Sequence, residues 1–198
     1  MNWIKHPVIL IGKRVKLLPL EETHFNEICE LGTEKSIWKY SPIGVYGFNR
    51  KLHIEFLEDS IKKRNSGEFY PLIITDKLTN KIIGFTVYHS IKQEYKGLEI
   101  GATWFHPDYW SKNFNTECKY LMLEHCFETL KTIRVQFRTN DNNIRSRKAI
   151  EKIGGKFEGI FRKDKILEDG TIRNAAYYSI IDDEWEAVKI NMEKLISK

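Results

Sequence analysis

The chain has 198 residues, of which 41% are hydrophobic and 30% charged, and its formal net charge is +5. This composition is typical of a soluble globular protein of one large domain and excludes a disordered or fibrous chain. No apolar run is long enough to cross a bilayer, and the N-terminal residues 1–7 are too poor in apolar side chains for a signal peptide.

The first half of the chain is predicted to contain two helices and four strands. Residues 14–18 form a predicted strand ended by Pro19, and residues 21–31 form a helix with one apolar face. A second helix spans about residues 49–64 and ends near Gly67. Three further strands are then predicted at 69–75, 81–91 and 97–105.

The second half begins with a long apolar helix at 116–131, followed by an alternating strand at 133–138. A helix at 143–153 ends at two glycines, and a long hairpin (156–163 and 174–181) turns at Glu168-Asp169-Gly170. The last segment, which includes Trp185, is an amphipathic helix. Without repeats or a linker, the pattern predicts a single α+β domain with a mixed sheet flanked by helices.

The stretch between residues 99 and 159 is the most informative for function. A strand ends at His106-Pro107, a polar turn follows from Ser111, and a long helix begins near Thr116. A strand, a turn and a helix start in that order present free backbone N–H groups where a phosphate can bind. A further helix opens at Asn143 after the next strand.

These stretches resemble the GNAT superfamily of acyl-CoA N-acetyltransferases, and more closely its RimJ/RimL-like branch, which acetylates protein N-termini and other amines. The resemblance covers nearly the whole chain and is most specific in Glu99-Ile100-Gly101, His106-Pro107-Asp108-Tyr109-Trp110 and Asn143-Ile144-Arg145-Ser146. It implies one GNAT-like domain, with a central mixed, largely antiparallel twisted sheet and a splayed parallel strand pair at the cofactor site. It also implies direct transfer from acetyl-CoA to a primary amine in a ternary complex.

The phosphate loop departs from the family pattern. That pattern has Gln or Arg, two residues, Gly, one residue, then Gly or Ala, and these positions fall here on Trp110, Asn113 and Asn115. Asn tolerates left-handed backbone, so we expect the asparagines to preserve the turn, with helix capping by Asn115 as the alternative. The resemblance implies cofactor binding by Trp104, Phe105, Ser111, Lys112, Asn113, Phe114, Asn115, Thr116, Asn143 and Ser146.

Acetyl transfer to an amine requires a base, because amines are mostly protonated at neutral pH. The resemblance makes Glu99, near the middle of the cofactor strand, one candidate base, and its alternative role is a solvent-face ion pair with a neighbour such as Lys81 or Arg138. His106 is the other candidate, although a residue before proline at a strand end also suits a structural role. The resemblance makes Ser146 the candidate that hydrogen-bonds or protonates the departing thiolate, while Asn143 suits cofactor contact and helix capping equally well.

The resemblance implies an acceptor site bounded by the loop between the first two helices and by the terminal hairpin. Trp38, Tyr40 and Tyr46 either line this pocket or form a small core of their own. Cys29, Cys118 and Cys126 are expected to be reduced core residues of a cytoplasmic protein. Neither the cysteines nor the six histidines have metal-ligand spacing, so no metal is predicted.

Four functions therefore stay open. The first two are acetylation of a protein N-terminal α-amine and acetylation of a polyamine, amino acid or antibiotic amine. The third is a catalytically silent CoA-binding module, which the glycine-free loop favours. The fourth is RNA binding by the basic surface, which lacks the expected aromatic and basic strand pattern. No membrane association is expected, and the oligomeric state is a monomer or a homodimer.

Overall fold

The computed structural model describes residues 2–38, 48–167 and 169–197. Its strands are β1 (Leu10–Ile11), β2 (Val15–Pro19), β3 (Phe69–Asp76), β4 (Ile82–Lys92), β5 (Gly97–Phe105), β6 (Arg134–Asn140), β7 (Lys156–Ile166) and β8 (Ile172–Ile181). Its α-helices are α1 (Phe25–Leu31), α2 (Arg50–Ser66), α3 (Phe114–Glu124), α4 (Ile144–Lys152) and α5 (Asp182–Ile196). A π-helix, His125–Leu130, continues α3.

The eight strands form one mixed sheet in the order β1-β2-β3-β4-β5-β6-β8-β7. All neighbours are antiparallel except β5 and β6, which are parallel. The sheet therefore consists of two antiparallel blocks, β1–β5 and β6–β8, that meet at one parallel seam. The predicted α+β class and mixed sheet are confirmed.

Helices cover both faces of the sheet. The helices α1 and α2 pack on one face, around Leu57 and Phe85. The helices α3 and α5 pack on the other, where Met122 and Met192 are fully buried. Within the described part of the chain, no helix is long and apolar enough to cross a membrane.

Most predicted elements are present, and their ends differ for local reasons. The strand β5 has the predicted limits, since Pro107 begins a 3-10 turn directly after it. The predicted helix at 21–31 starts instead as a 3-10 turn, Glu22–His24, before α1. Pro19 is the last residue of β2, so the strand ends within one residue of the predicted limit, and Pro19 pairs in register with Leu72 of β3.

Candidate active site

The two parallel strands separate after a short common stretch. Residues Gly97 to Glu99 of β5 pair with Arg134 to Gln136 of β6, and no later residues of these strands pair with each other. The strand β5 contains a bulge at which Ala102 has a φ of +46°. A bulge bends its strand, so β5 leaves β6 and exposes an unpaired backbone edge. The predicted splayed pair is confirmed, and Trp104 and Phe105 lie on its unpaired part.

The loop after β5 has left-handed backbone at one of the two asparagines that were expected to allow it, Asn113, whereas Asn115 is helical. Asn113 has a φ of +63°, and Ser111, which was not predicted to do so, has a φ of +61°. Within the described residues, no backbone N–H group from Ser111 to Thr116 donates to a protein acceptor. A run of six free donors at a helix start matches what a diphosphate requires, so the residues present fit the cofactor that the fold implies.

The alternative interpretation, in which Asn115 caps the helix, is wrong. The helix α3 begins at Phe114, so Asn115 lies inside its first turn and Asn113 is the N-cap residue. The Asn113 side chain does not cap either, because its Nδ2 donates to the Leu195 carbonyl at 3.3 Å and its Oδ1 accepts from Lys152 Nζ at 3.3 Å. The first-turn N–H groups therefore stay free of both asparagine side chains.

Positive charge surrounds this loop. The Arg145 guanidinium lies 4.0 Å from the centre of the Trp110 ring, and Trp110 Nε1 donates to the Phe105 carbonyl at 2.9 Å. Lys112 is exposed in the loop itself, and Lys152 contacts Asn113. Trp110 thus connects the end of β5 to a cation on α4 at the position where the family pattern has Gln or Arg.

The start of α4 lies at the same edge of the sheet as the start of α3, because each helix follows one of the two parallel strands. Asn143 caps α4 by accepting a hydrogen bond from the Ser146 N–H at 3.1 Å, so its predicted capping role is confirmed. The Ser146 side chain is half-buried, and its hydroxyl makes no hydrogen bond within the residues described. It is available to a ligand between the two helix starts.

Glu99 lies at the point where the strands begin to diverge, and it is only 4% exposed. Its Oε2 accepts from Gln136 Nε2 at 2.9 Å, and its Oε1 lies 3.5 Å from Arg138 Nε. The expected pair with Arg138 is present, but the carboxylate is buried rather than on a solvent face. The Oε1 atom also lies 3.3 Å from His89 Nε2, a neighbour that the sequence did not suggest.

The surroundings of Glu99 have opposing effects on its pKa. Burial raises the pKa of this carboxyl, whereas the neighbouring His89, Arg138 and Gln136 side chains lower it. The lowering effects together exceed burial, and the pKa lies below its ordinary value. Glu99 is therefore a stably ionised carboxylate at neutral pH and a weak proton acceptor.

Arg138 connects Glu99 to the terminal hairpin. Its Nη1 lies 3.7 Å from Asp164 Oδ2 and 3.4 Å from the Tyr177 hydroxyl, which donates to Asp164 Oδ1 at 3.1 Å. Phe161 stacks on the Tyr177 ring with 4.0 Å between centres. One guanidinium thus links two nearly buried carboxylates from β5 and β7 along the side of the opening.

His106 lies apart from Glu99. Six residues of strand lie between them, and seven steps at about 3.3 Å per residue amount to roughly 23 Å. His106 Nδ1 accepts from the Asp108 N–H at 3.5 Å, and the ring borders a groove of about 340 Å³ with Glu27, Glu30 and Glu34. The structure gives His106 a local contact at the strand end, and its role as a base stays a prediction.

Of the three predicted acceptor-site aromatics, only Trp38 is described, since Tyr40 and Tyr46 lie outside the described residues. Trp38 is 4% exposed, and its Nε1 donates to the Gly32 carbonyl at 2.6 Å. Its ring packs 5.8 Å from that of Trp104 and 5.4 Å from that of His53. Trp38 therefore belongs to a packed aromatic cluster that adjoins the end of β5.

Sequence reasoning missed His89. It lies on β4 directly across from Glu99 on β5. The pairing nearest the turn is Lys92 with Gly97, and a register shift follows between Lys92 and His89. Counting from the turn alone would therefore place His89 opposite Ile100, so the contact with Glu99 was not directly indicated by the sequence.

A buried lysine was also missed. Lys119 on α3 is 6% exposed and its ammonium contacts the hydroxyl of Thr103, one residue beyond the bulge. The Thr103 hydroxyl lies 2.8 Å from that of Thr86. Burial lowers the pKa of Lys119 to about 8. Its position inside a mostly apolar helix gave no indication of a polar contact.

The cysteines are buried free thiols, as expected. Burial raises the pKa of Cys118 to about 12 and also raises that of Cys126, so neither is an activated nucleophile. Among residues 2–38, 48–167 and 169–197, no group of three or more His, Cys, Asp or Glu side chains is arranged to hold a metal ion.

Comparison with known proteins gives consistent matches over most of the chain. The family model of the acetyltransferase (GNAT) domain matches residues 14–156. YnaD of Bacillus subtilis (strain 168), an uncharacterized N-acetyltransferase, is 28% identical over 173 residues, which are 87% of this chain and 96% of YnaD.

Solved structures extend the match. A GCN5-related N-acetyltransferase from Brucella melitensis is 25% identical, with a TM-score of 0.85 over 94% of this chain and 84% of that one. RimL, a ribosomal L7/L12 alpha-N-protein acetyltransferase in complex with coenzyme A, is 16% identical. Its TM-score is 0.78 over 89% of this chain and 99% of RimL, a likeness of fold.

Proposed function

This chain belongs to the GNAT acetyltransferase family and is an N-acetyltransferase, and we propose that it transfers acetyl from acetyl-CoA directly to a primary amine while both are bound. The observation that carries the proposal is the run of free N–H groups from Ser111 to Thr116 at the start of α3. Lys112, Arg145 and Lys152 add positive charge around it. Together these groups complement a diphosphate.

The remaining residues take roles along the opening between β5 and β6. The backbone of β5 near Trp104 and Phe105 offers unpaired groups to the amides of the pantetheine arm. Acetyl-CoA, when bound, supplies an activated thioester. The Ser146 hydroxyl then donates a hydrogen bond to the departing sulfur, and fixed positioning of both substrates supplies much of the acceleration.

We further propose a protein N-terminal α-amine as the acceptor. The support is the fold shared with RimL, whose name specifies an α-N-protein acetyltransferase, over 89% of this chain. The side of the opening that faces the terminal hairpin also has the charged and aromatic groups Arg138, Asp164 and Tyr177 that suit an extended peptide end.

Two measurements test these proposals. Isothermal titration of the full chain with acetyl-CoA should show one site, and no binding at millimolar ligand would overturn cofactor use. Thiol release should then be followed with peptides that have a free N-terminus, with spermidine and with single amino acids. Turnover confined to the peptides supports the α-amine, turnover confined to small amines overturns it, and binding without turnover favours a silent module.

A further inference from the structure

The ring of His89 rests against two residues of the Glu99-Ile100-Gly101 stretch. Its Nε2 lies 3.3 Å from Glu99 Oε1, and a methyl group added to Gly101 would collide with that same nitrogen. The backbone of Gly101 is not left-handed, so the glycine is needed for space and not for conformation. The Glu99 carboxylate and the space left by Gly101 thus fix the position of the His89 ring where β5 begins to leave β6.

The contacts of the ring determine its tautomer. An ionised carboxylate only accepts hydrogen bonds, so Nε2, which faces Glu99, must have the hydrogen. The lone pair of a neutral ring is then on Nδ1, which lies 3.1 Å from the Ser90 hydroxyl. The His89 side chain is 17% exposed, and Nδ1 faces the exposed residue Ser90.

We propose that His89 accepts, at Nδ1, the proton that the acceptor amine must lose, and that Glu99 and Gly101 position its ring. This inference rests on the proposed function. Glu99 itself is a poor candidate for the proton, because three neighbours already hold it as a carboxylate. Imidazole is the side chain best suited to exchange a proton near neutral pH.

The proton balance is complete without a further reactant. The acceptor ammonium has three protons and gives one to His89 Nδ1, directly or across the Ser90 hydroxyl. The neutral nitrogen bonds to the acetyl carbon as the carbon–sulfur bond breaks. Of the two remaining protons, the sulfur takes one and the amide keeps the other. His89 then returns its proton to solvent.

In the described part of the chain, charged groups from several strands lie around the ring. Glu99 on β5 is in direct contact with it. Beyond Glu99 lie Arg138 on β6, Asp164 and Lys165 on β7 and Arg173 on β8. The β3 neighbour is the uncharged ring of Phe69, with its centre 6.1 Å away. A pH profile must therefore be read together with variants of the carboxylate.

The test uses the full chain, acetyl-CoA and whichever acceptor of the panel above is turned over by wild type. At pH 7, His89→Gln should lower kcat/KM about 100-fold, with acetyl-CoA affinity by calorimetry unchanged. The loss should shrink above pH 9, where the amine deprotonates in water. Glu99→Gln should lower kcat/KM about tenfold and shift the acidic limb of the profile.

Controls separate this role from a structural one. His6→Gln, at an exposed histidine outside the site, should leave the profile unchanged, and added imidazole should partly restore His89→Ala. If His106 were the base instead, His106→Gln would show the pH-dependent loss. If His89→Gln loses less than tenfold in kcat/KM, or if its loss does not depend on pH, the inference is overturned and the proposed function stands. If the wild type turns over no acceptor, the proposed function is overturned and this inference with it.

Discussion

The two sides of the opening between β5 and β6 are built from different parts of the chain. At the phosphate loop, Ser111 to Thr116 offer backbone N–H groups, and Asn113 takes the left-handed conformation that the family pattern assigns to glycine. On the side of the terminal hairpin, the groups are side chains that hold one another, with Arg138 between Glu99 and Asp164. Where backbone N–H groups bind the ligand, a substitution that preserves φ is tolerated. Where paired side chains form the site, replacing one of them leaves its partner without a contact.

The largest expected effect is on the side-chain network. Arg138→Gln leaves two nearly buried carboxylates without their cation, and we expect a loss of roughly 2 kcal/mol in unfolding free energy at pH 7. This value is below the range for fully buried pairs because the Arg138 side chain is 26% exposed. Urea unfolding measures it, with Lys148→Gln as an exposed control on α4. Equal stability of Arg138→Gln and wild type would contradict a coupled network.

The unfolding free energy of the same variant should depend on pH in a defined direction. The pKa of Glu99 is lowered in the folded protein, so its charge stabilises the fold at neutral pH, and this contribution is lost as pH falls through the folded pKa. Without Arg138 that loss should begin at a higher pH. In the double variant Glu99→Gln/Arg138→Gln, the dependence due to Glu99 should disappear, and coupling should appear as non-additive changes in unfolding free energy.

A smaller effect is expected at the loop, where two substitutions of Asn113 should diverge. Asn113→Val places a β-branched residue at a φ of +63°, which costs about 1–2 kcal/mol and should weaken acetyl-CoA binding about tenfold. Asn113→Gly keeps that conformation and should bind the cofactor at least as tightly as wild type. Calorimetry on both variants measures the difference, and equal weakening would show that the amide side chain, and not the backbone, matters.

The smallest effect is expected at the contact between Arg145, at the start of α4, and Trp110, in the loop before α3. Arg145→Ala removes a cation 4.0 Å from the centre of the Trp110 ring and should weaken acetyl-CoA binding about threefold. Because the diphosphate is bound mainly by backbone groups, the loss should stay below tenfold. Lys148→Ala, one turn along α4, is the matched control. A loss of 100-fold for Arg145→Ala would place this side chain at the centre of the site.

Features set by residues close together in the sequence could be predicted, whereas features set by distant contacts could not. The limits of β5 were predictable because Pro107 acts on its immediate neighbours, and Asn143 was predictable as a cap because it acts three residues ahead. The helix start at Phe114 was missed by two residues, since the left-handed residue before it, Asn113, is held by contacts with Lys152 of α4 and Leu195 of α5.

The side-chain network was harder to foresee. Glu99 and Arg138 were recognised as a pair, but burial of the carboxylate depends on strands from both blocks of the sheet. The position of His89 needed the register of β4 on β5, and that of Asp164 needed a bulge in β7 between Phe161 and Lys165. Register and bulges arise from pairing across the chain, which local periodicity does not report.

The parallel seam between β5 and β6 has a consequence for how the chain can be divided. Among the described residues, the strand pairing between the two antiparallel blocks consists of three residue pairs, and Lys131, just before β6, ends the preceding helix in a left-handed turn. Two fragments cut there would each keep a complete ladder, and stacking of Phe127 on Trp185 would help bring them together. The seam is thus the natural cut for a split enzyme whose halves regain their shared cleft only on reassembly.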